Sequence, residues 1–222
     1  MELSAWLQNL PDKTRKGLTI IDESHVYHIS TNPDIKQFIP QVGSRQMPTE
    51  DRTVPRVCCA RSIVDAVRGH AAVSGQAINK WKAGSVGVFY IYRLPFKQYI
   101  KPLPAIVPDS GLTNELWVVP NDPTTAVFKA GIVGEFIVSA VSEEYEEGEL
   151  EHSFTLMLHT REPVRLCGNT FLSGYGKIEL EREAPINAPV RSNGHAVEEM
   201  VPISAEEYQN VFSKLVKNVV KE

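Results

Sequence analysis

Cysteine is scarce in this chain of 222 residues, which contains only Cys58, Cys59 and Cys167. Three cysteines are too few for a disulfide framework. Cys58 and Cys59 are neighbours, so in a strand they would project to opposite faces and would not share a tetrahedral zinc site. We therefore expect a reducing compartment, the cytosol, and no bound metal.

Long apolar runs and excess positive charge are also missing. No stretch approaches the ~20 apolar residues that span a bilayer, and the N-terminus has no charged region followed by an apolar one. The formal net charge of -4 gives no general attraction to phosphate backbones. We expect a cytoplasmic protein, with no membrane partner and with nucleic acid disfavoured as a partner.

Several common functional motifs are absent as well. The sequence has no Walker or Rossmann glycine loop, no His-Glu-x-x-His zinc helix, no internal repeat and no low-complexity tract. With 42% hydrophobic and 23% charged residues, it is an ordinary globular chain that can bury a core. We predict a main α+β domain over residues 1–181, then a linker and a C-terminal helix over residues 182–222.

Two β-prone runs contain polar residues that need an explanation. The first, residues 24–30, brings His28 and Ser30 into an expected strand, and the second, residues 55–62, leads directly into a helix that Ser62 is suited to cap. A buried polar group must be hydrogen-bonded or must serve a site. A histidine in a strand is more often a satisfied core or edge residue than a ligand contact, so both interpretations remain open.

Further strands are predicted by alternation or by continuous apolar character over residues 85–94, 116–119, 130–141, 152–160 and 170–181. In the third of these strands Glu135 lies among apolar neighbours, as a member of an ion pair or as a site residue. The acidic run over residues 143–151 repels itself and predicts a solvated hairpin loop.

The clearest helix lies near the C-terminus. Ser204 and Glu207 have the spacing of a capping box. One apolar stripe follows, consisting of Tyr208, Val211, Phe212, Leu215, Val216 and Val219. The stripe should be buried against the body or against a second subunit, and the second arrangement would make a homo-oligomer.

The order of four motifs resembles the ADP-ribosyltransferase superfamily, with the closest likeness to small bacterial rifampin ADP-ribosyltransferases. In those proteins the first strand reads Tyr-His-Gly-Thr and a late strand has a Val-Val-Gly-Glu-like run. The corresponding segments here are Tyr27-His28-Ile29-Ser30, the run from Val57 to Ser62 before a helix with Asp65 and Ala66, the strand from Val88 to Tyr92, and Val133-Gly134-Glu135-Phe136. Together they span residues 24 to 140 approximately.

The resemblance implies an α+β fold of two short packed antiparallel sheets, with flanking helices, that hold NAD in the cleft between them. It implies that His28 hydrogen-bonds a ribose hydroxyl of the adenosine half. By the same resemblance Ser30 contacts that half or the nicotinamide amide. Glu135 is the nearest counterpart of the acid that stabilises positive charge on the ribose, with Asp122 and Glu115 as alternatives.

One position departs from the pattern of the family. A tyrosine that stacks on nicotinamide is replaced by Val57, and Tyr90 or Tyr92 would have to take over the stacking. The first hypothesis is an NAD-dependent transferase with an unknown acceptor. The second is a non-catalytic module that binds a nucleotide or a partner, such as a host-takeover or defence-related factor. The third is a structural or assembly protein joined through its C-terminal helix.

Overall fold

A computed structural model describes residues 2–42, 50–70, 86–108, 110–120, 126–144, 150–182 and 200–219. The strands are β1 (Leu18–Asp22), β2 (Tyr27–Ser30), β3 (Val57–Ala60), β4 (Val86–Arg93), β5 (Gln98–Pro102), β6 (Glu115–Val118), β7 (Gly131–Glu144), β8 (Leu150–Cys167), β9 (Thr170–Arg182) and β10 (Val201–Pro202). The helices are α1 (Leu3–Gln8), α2 (Asp12–Arg15), α3 (Ile63–Gly69), α4 (Ser110–Thr113) and α5 (Ala205–Val219).

The ten strands form one antiparallel sheet in the order β1-β5-β6-β3-β2-β4-β7-β8-β9-β10. The predicted fold of two short packed sheets with flanking helices is therefore wrong. The two halves of the sheet are joined through β2 and β3, where Tyr27 pairs with Ala60. Alternation of apolar residues predicts where strands lie but not which strands pair, so the sequence did not indicate this joint.

The two faces of the sheet are covered by different helices. On one face α3 packs in a core cluster with Tyr27, Phe136 and Leu158. On the opposite face α5 packs over Ile137 and Met157. Because side chains alternate along a strand, neighbouring residues of β7 and β8 contribute to both of these layers.

Several local predictions are confirmed. The Ser62 hydroxyl accepts a hydrogen bond from the amide of Asp65 at 3.1 Å, as an N-cap of α3. The Ser204 hydroxyl accepts one from the amide of Glu207 at 3.0 Å at the start of α5. Tyr208 is fully buried on the sheet, with Val211, Phe212 and Leu215 packed beside it, so this part of the apolar stripe packs against the body of the same chain. The side chains of Val216 and Val219 lie outside the described part of the structure.

The predicted connection between two antiparallel strands is confirmed, because β7 and β8 pair as far as Glu144 and Leu150. The predicted loop bounds are wrong at both ends, since Glu143, Glu144, Leu150 and Glu151 belong to the strands. Residues 145–149 lie outside the described residues, as do residues 183–199 of the predicted linker. The division into residues 1–181 and 182–222 stays a prediction. No helix in the described ranges has both the length and the apolar character needed to cross a membrane.

Candidate functional site

A cavity of about 90 Å³ lies where β2 and β3 separate. Past the Tyr27–Ala60 pair, β2 continues beside β4 and β3 continues beside β6. The lining consists of residues 27–29 of β2, residues 58–60 of β3, Asp65, Ala66 and Gly69 of α3, and His70, Thr113 and Glu115. The joint in the sheet therefore brings together several titratable side chains, those of His28, Cys58, Asp65, His70 and Glu115.

His28 bridges the two separating strands. Its Nδ1 lies 2.9 Å from the carbonyl oxygen of Cys58, and because a carbonyl only accepts, Nδ1–H is the donor. Burial lowers the pKa of His28, although the bond to Cys58 opposes this effect. The imidazole is therefore neutral at pH 7, and its Nε2 remains an acceptor. The ring edge also contacts Phe38, with 5.1 Å between the centroids.

Glu115 is the carboxyl group that shares this cavity with Cys58. Its Oε1 accepts a hydrogen bond from the indole nitrogen of Trp117 at 2.6 Å, and the Cys58 thiol donates to the same carboxyl group. Burial raises the pKa of Glu115, while those two hydrogen bonds and the charge of Arg56 lower it. Burial and the charge of Glu115 raise the pKa of the Cys58 thiol, so the thiol stays protonated and is a poor nucleophile.

The α3 side of the cavity contributes a carboxylate that is already engaged. Asp65 accepts hydrogen bonds from the Ser62 hydroxyl at 2.6 Å and from the side-chain amide of Asn114 at 3.0 Å. These contacts tie the first turn of α3 to the start of β6. His70 follows α3 and meets the ring of Phe89 edge-on, with 5.2 Å between the centroids. We therefore assign Asp65 chiefly a structural role, in which it shapes the cavity wall.

A second polar group lies on the other face of the sheet. Cross-strand pairing aligns Ser30, Tyr90, Glu135, His159 and Tyr175 in one row across β2, β4, β7, β8 and β9. Ser30 is one residue out of phase with Tyr27 and Ile29, so the row faces away from α3. The side chain of His28 lies on this same face, against Phe38. It borders the cavity at the gap between β2 and β3, where it bonds the carbonyl of Cys58. The resemblance thus named three residues that are direct neighbours in the sheet.

Glu135 is enclosed within that row. Its Oε1 is 2.7 Å from Nδ1 of His159, and its Oε2 is 3.6 Å from the guanidinium of Arg161. The His159 ring stacks on Tyr175 with 4.3 Å between the centroids. Tyr208 of α5 covers both rings. Glu135 is therefore an ion-pair member, which is one of the two roles that the sequence left open.

The predicted site residues are divided between these two places. His28 and the alternative acid Glu115 line the cavity, whereas Ser30, Tyr90 and Glu135 belong to the row. The Tyr92 hydroxyl is already engaged, since it donates to the carbonyl of Asn32 at 2.8 Å and accepts from the amide of Ile35 at 3.3 Å. The other alternative acid, Asp122, lies outside the described residues.

Sequence reasoning did not assign Cys58, Asp65, His70 or Thr113 to a site. Alternation along β3 puts Cys58 on the same face as Ala60, and this signal was present in the sequence. His70 and Thr113 reach the cavity only because α3 and α4 pack together, and no sequence pattern marks them. Among the described residues, no group of three or more histidine, cysteine, aspartate or glutamate side chains is placed to hold a metal ion.

Comparisons of the chain with protein-family models, curated proteins and solved structures give no match. The resemblance to ADP-ribosyltransferases therefore depends on motif order alone and stays a prediction. The geometry of the cavity is an independent basis for a functional proposal.

Proposed function

We propose that the cavity between β2 and β3 binds a ribose of NAD and that the chain transfers ADP-ribose to an acceptor molecule. The observation that supports this best is that His28 and a carboxyl group, Glu115, line one cavity. A transferase of this kind needs a group that fixes the ribose and a negative charge beside the reacting carbon. Both kinds of group are available at the joint of the sheet.

His28 serves as the binding group in this proposal. Its donor nitrogen is occupied by Cys58, so Nε2 accepts a hydrogen bond from a ribose hydroxyl. A neutral imidazole also avoids the cost of burying a charge. The cytosol, which the cysteine content predicts, fits this proposal because reduction keeps Cys58 as the thiol that donates to Glu115.

Glu115 provides the negative charge. When bound, NAD supplies an ADP-ribosyl group: the bond between C1′ and the nicotinamide nitrogen breaks with its electron pair leaving on nicotinamide. The acceptor nucleophile then bonds to C1′ and loses its proton to solvent. A fixed carboxylate stabilises the positive charge that builds on the ribose, and it does so only in its ionised form.

The cavity fits a part of NAD and not the whole dinucleotide. A volume of about 90 Å³ is well below the roughly 300–1,000 Å³ of pockets that enclose a drug-sized ligand. None of the described lining residues is lysine or arginine, so the cavity has no fixed cation for the pyrophosphate. We therefore assign a ribose to it.

Binding without transfer is a second candidate function, and two observations favour it. Burial raises the pKa of Glu115, which favours the neutral form that cannot stabilise a cation. Val57, at the position of the stacking tyrosine, is buried in the core with Tyr92 and Phe38. A nucleotide-binding module on this fold would keep the contact of His28 and would not need the charge of Glu115.

Calorimetric titration with NAD, followed by an assay for released nicotinamide, tests both candidates. His28→Ala should weaken NAD binding about 2- to 12-fold, which corresponds to one hydrogen bond of 0.5–1.5 kcal/mol. Glu115→Gln should spare binding and abolish nicotinamide release, because the charge is needed mainly in the transition state. Glu179→Gln, on an exposed side chain of β9, is the matched control and should change neither.

The outcomes separate the alternatives. Nicotinamide release that survives Glu115→Gln but is lost in Glu135→Gln would assign the role of the catalytic acid to Glu135. Binding with no release in the unaltered protein would support the non-catalytic module. Absence of any NAD binding would overturn both candidates and with them the assignment of His28.

A further inference from the structure

The carboxyl group of Glu115 is held by a side chain from its own strand. Residues i and i+2 of a strand lie on the same face, so Trp117 is next to Glu115 on β6. Its indole Nε1–H donates to Glu115 Oε1 at 2.6 Å. This short bond fixes one of the two oxygens of the carboxyl group.

Trp117 is itself held rigidly. It is fully buried, and the guanidinium carbon of Arg56 lies 4.2 Å above its ring centroid, within the range of a cation–π contact. Arg56 is 4% exposed. Its Nη1 donates to the carbonyls of Asp51 and Val54 at 3.1 and 3.2 Å, and its Nη2 forms an ion pair with Glu50.

We propose that Trp117 is a positioning residue for the Glu115 carboxylate, and that Arg56 fixes the indole in the orientation this requires. The inference rests on the proposed function of the cavity, since it concerns the acid assigned there. The series Glu50, Arg56, Trp117 and Glu115 connects the segment before β3 with β6 and the cavity wall. A carboxyl group held in this way does not have to reorient as charge develops on the ribose.

The indole has an electrostatic effect as well as a steric one. A hydrogen bond to the ionised form favours ionisation, which opposes the burial of the carboxyl group. The charged and titratable groups around Glu115 are Arg56, Glu50 and Cys58, together with His28, Asp65 and His70 on the rest of the cavity lining. Trp117 is a neutral neighbour, so its contribution can be removed without altering any charge.

Trp117→Phe is the variant that tests this role, because phenylalanine keeps an aromatic ring beneath Arg56 and removes the indole donor together with part of the ring volume. The midpoint of Glu115 ionisation, followed by carbon NMR of labelled glutamate, should rise by about one pH unit, the shift expected for one hydrogen bond to an ionised group. The acidic limb of the pH profile for nicotinamide release should move by the same amount. Trp6→Phe, in α1, is the matched control and should move neither.

A measurement on the unaltered protein covers the case in which Trp117→Phe does not fold. The indole N–H resonance of Trp117 should shift with pH at the midpoint of Glu115, and that of Trp6 should not. A Trp117 resonance that stays constant through the Glu115 titration would overturn the proposal, as would an unchanged midpoint in a folded variant. If the unaltered protein releases no nicotinamide, the proposed transfer reaction is wrong. The two NMR titrations do not depend on that reaction, and they still decide whether Trp117 positions Glu115.

Discussion

Tyr208 anchors α5 to the sheet, and two substitutions there should change the stability of the protein in opposite directions. The ring is fully buried, stacks on Phe212 with 5.8 Å between centroids, and contacts His159 and Tyr175. Within the described part of the chain its hydroxyl oxygen is buried with no hydrogen-bond partner. The ring therefore stabilises the docking of α5, whereas the hydroxyl opposes it.

The expected magnitudes follow from these two features. Removing a buried aromatic ring costs about 3–5 kcal/mol, and we expect the lower end for Tyr208→Ala because one face of α5 is exposed. Tyr208→Phe keeps the ring and removes a desolvated hydroxyl, which should raise the free energy of unfolding by about 1 kcal/mol. For a chain of this size the changes correspond to a fall of about 6–12 °C and a rise of about 2–4 °C in Tm.

The assay is thermal and denaturant unfolding together with amide hydrogen exchange of α5. Exchange is needed because α5 is able to undock locally without global unfolding. Gln209→Ala, at an exposed neighbour on the same helix, should alter neither measurement. Unchanged α5 exchange in Tyr208→Ala would refute the docking of the helix, and a less stable Tyr208→Phe variant would refute the unsatisfied hydroxyl.

Two further predictions concern packing and charge. An alanine Cβ at Gly134 would lie 2.5 Å from the backbone oxygen of His159, so Gly134→Ala should lower the free energy of unfolding by about 3 kcal/mol. The control is Gly131→Ala, where a Cβ would meet no atom within 4 Å, and it should change that free energy by less than about 0.5 kcal/mol. Equal effects of the two variants would contradict the close approach of β7 to β8. Burial raises the pKa of Glu23, but hydrogen bonds from Arg165 and two backbone amides outweigh it and lower the pKa from 4.5. The stabilisation by the Glu23 carboxylate should therefore be present above pH 4.5 and disappear as the pH falls through the lowered pKa. Glu23→Gln should make the free energy of unfolding depend less steeply on pH in the acid range. An acid limb as steep as in the unaltered protein would contradict this assignment.

The elements that could be predicted from the sequence have local signals. The helix α3 follows an N-cap serine and α5 follows a capping box. The strand predicted over residues 130–141 is a nearly continuous apolar run along β7. By contrast, β1 and β5 were not predicted. They are short, and their pairing with each other, from Leu18 with Pro102 to Asp22 with Gln98, brings together segments that are distant in the sequence.

The candidate acids also show that local sequence signals do not predict contacts between distant segments. Glu135 has the stronger sequence signal, because it interrupts an apolar strand within a motif. Its partners His159 and Arg161 come from β8, and no local pattern shows that they approach. Glu115 starts a short strand and belongs to no motif of its own, so the resemblance implied it only as an alternative to Glu135. It reaches the cavity because Ala60 pairs with both Tyr27 and Glu115.

The candidate site forms where β2 and β3 share a single residue pair, Tyr27 with Ala60, and His28 explains why these two features coincide. When β2 and β3 diverge, the carbonyl of Cys58 no longer meets a strand amide of β2, so another donor is needed to complete its hydrogen bonding. The imidazole of His28 supplies that donor and so connects β2 to β3 by a side-chain hydrogen bond. The same bond fixes the tautomer, which leaves an acceptor nitrogen in a residue that lines the cavity. A ligand that offers a hydroxyl donor to Nε2 can therefore bind without disrupting the joint, whereas a ligand that offers only acceptors would compete with Cys58 for the proton on Nδ1.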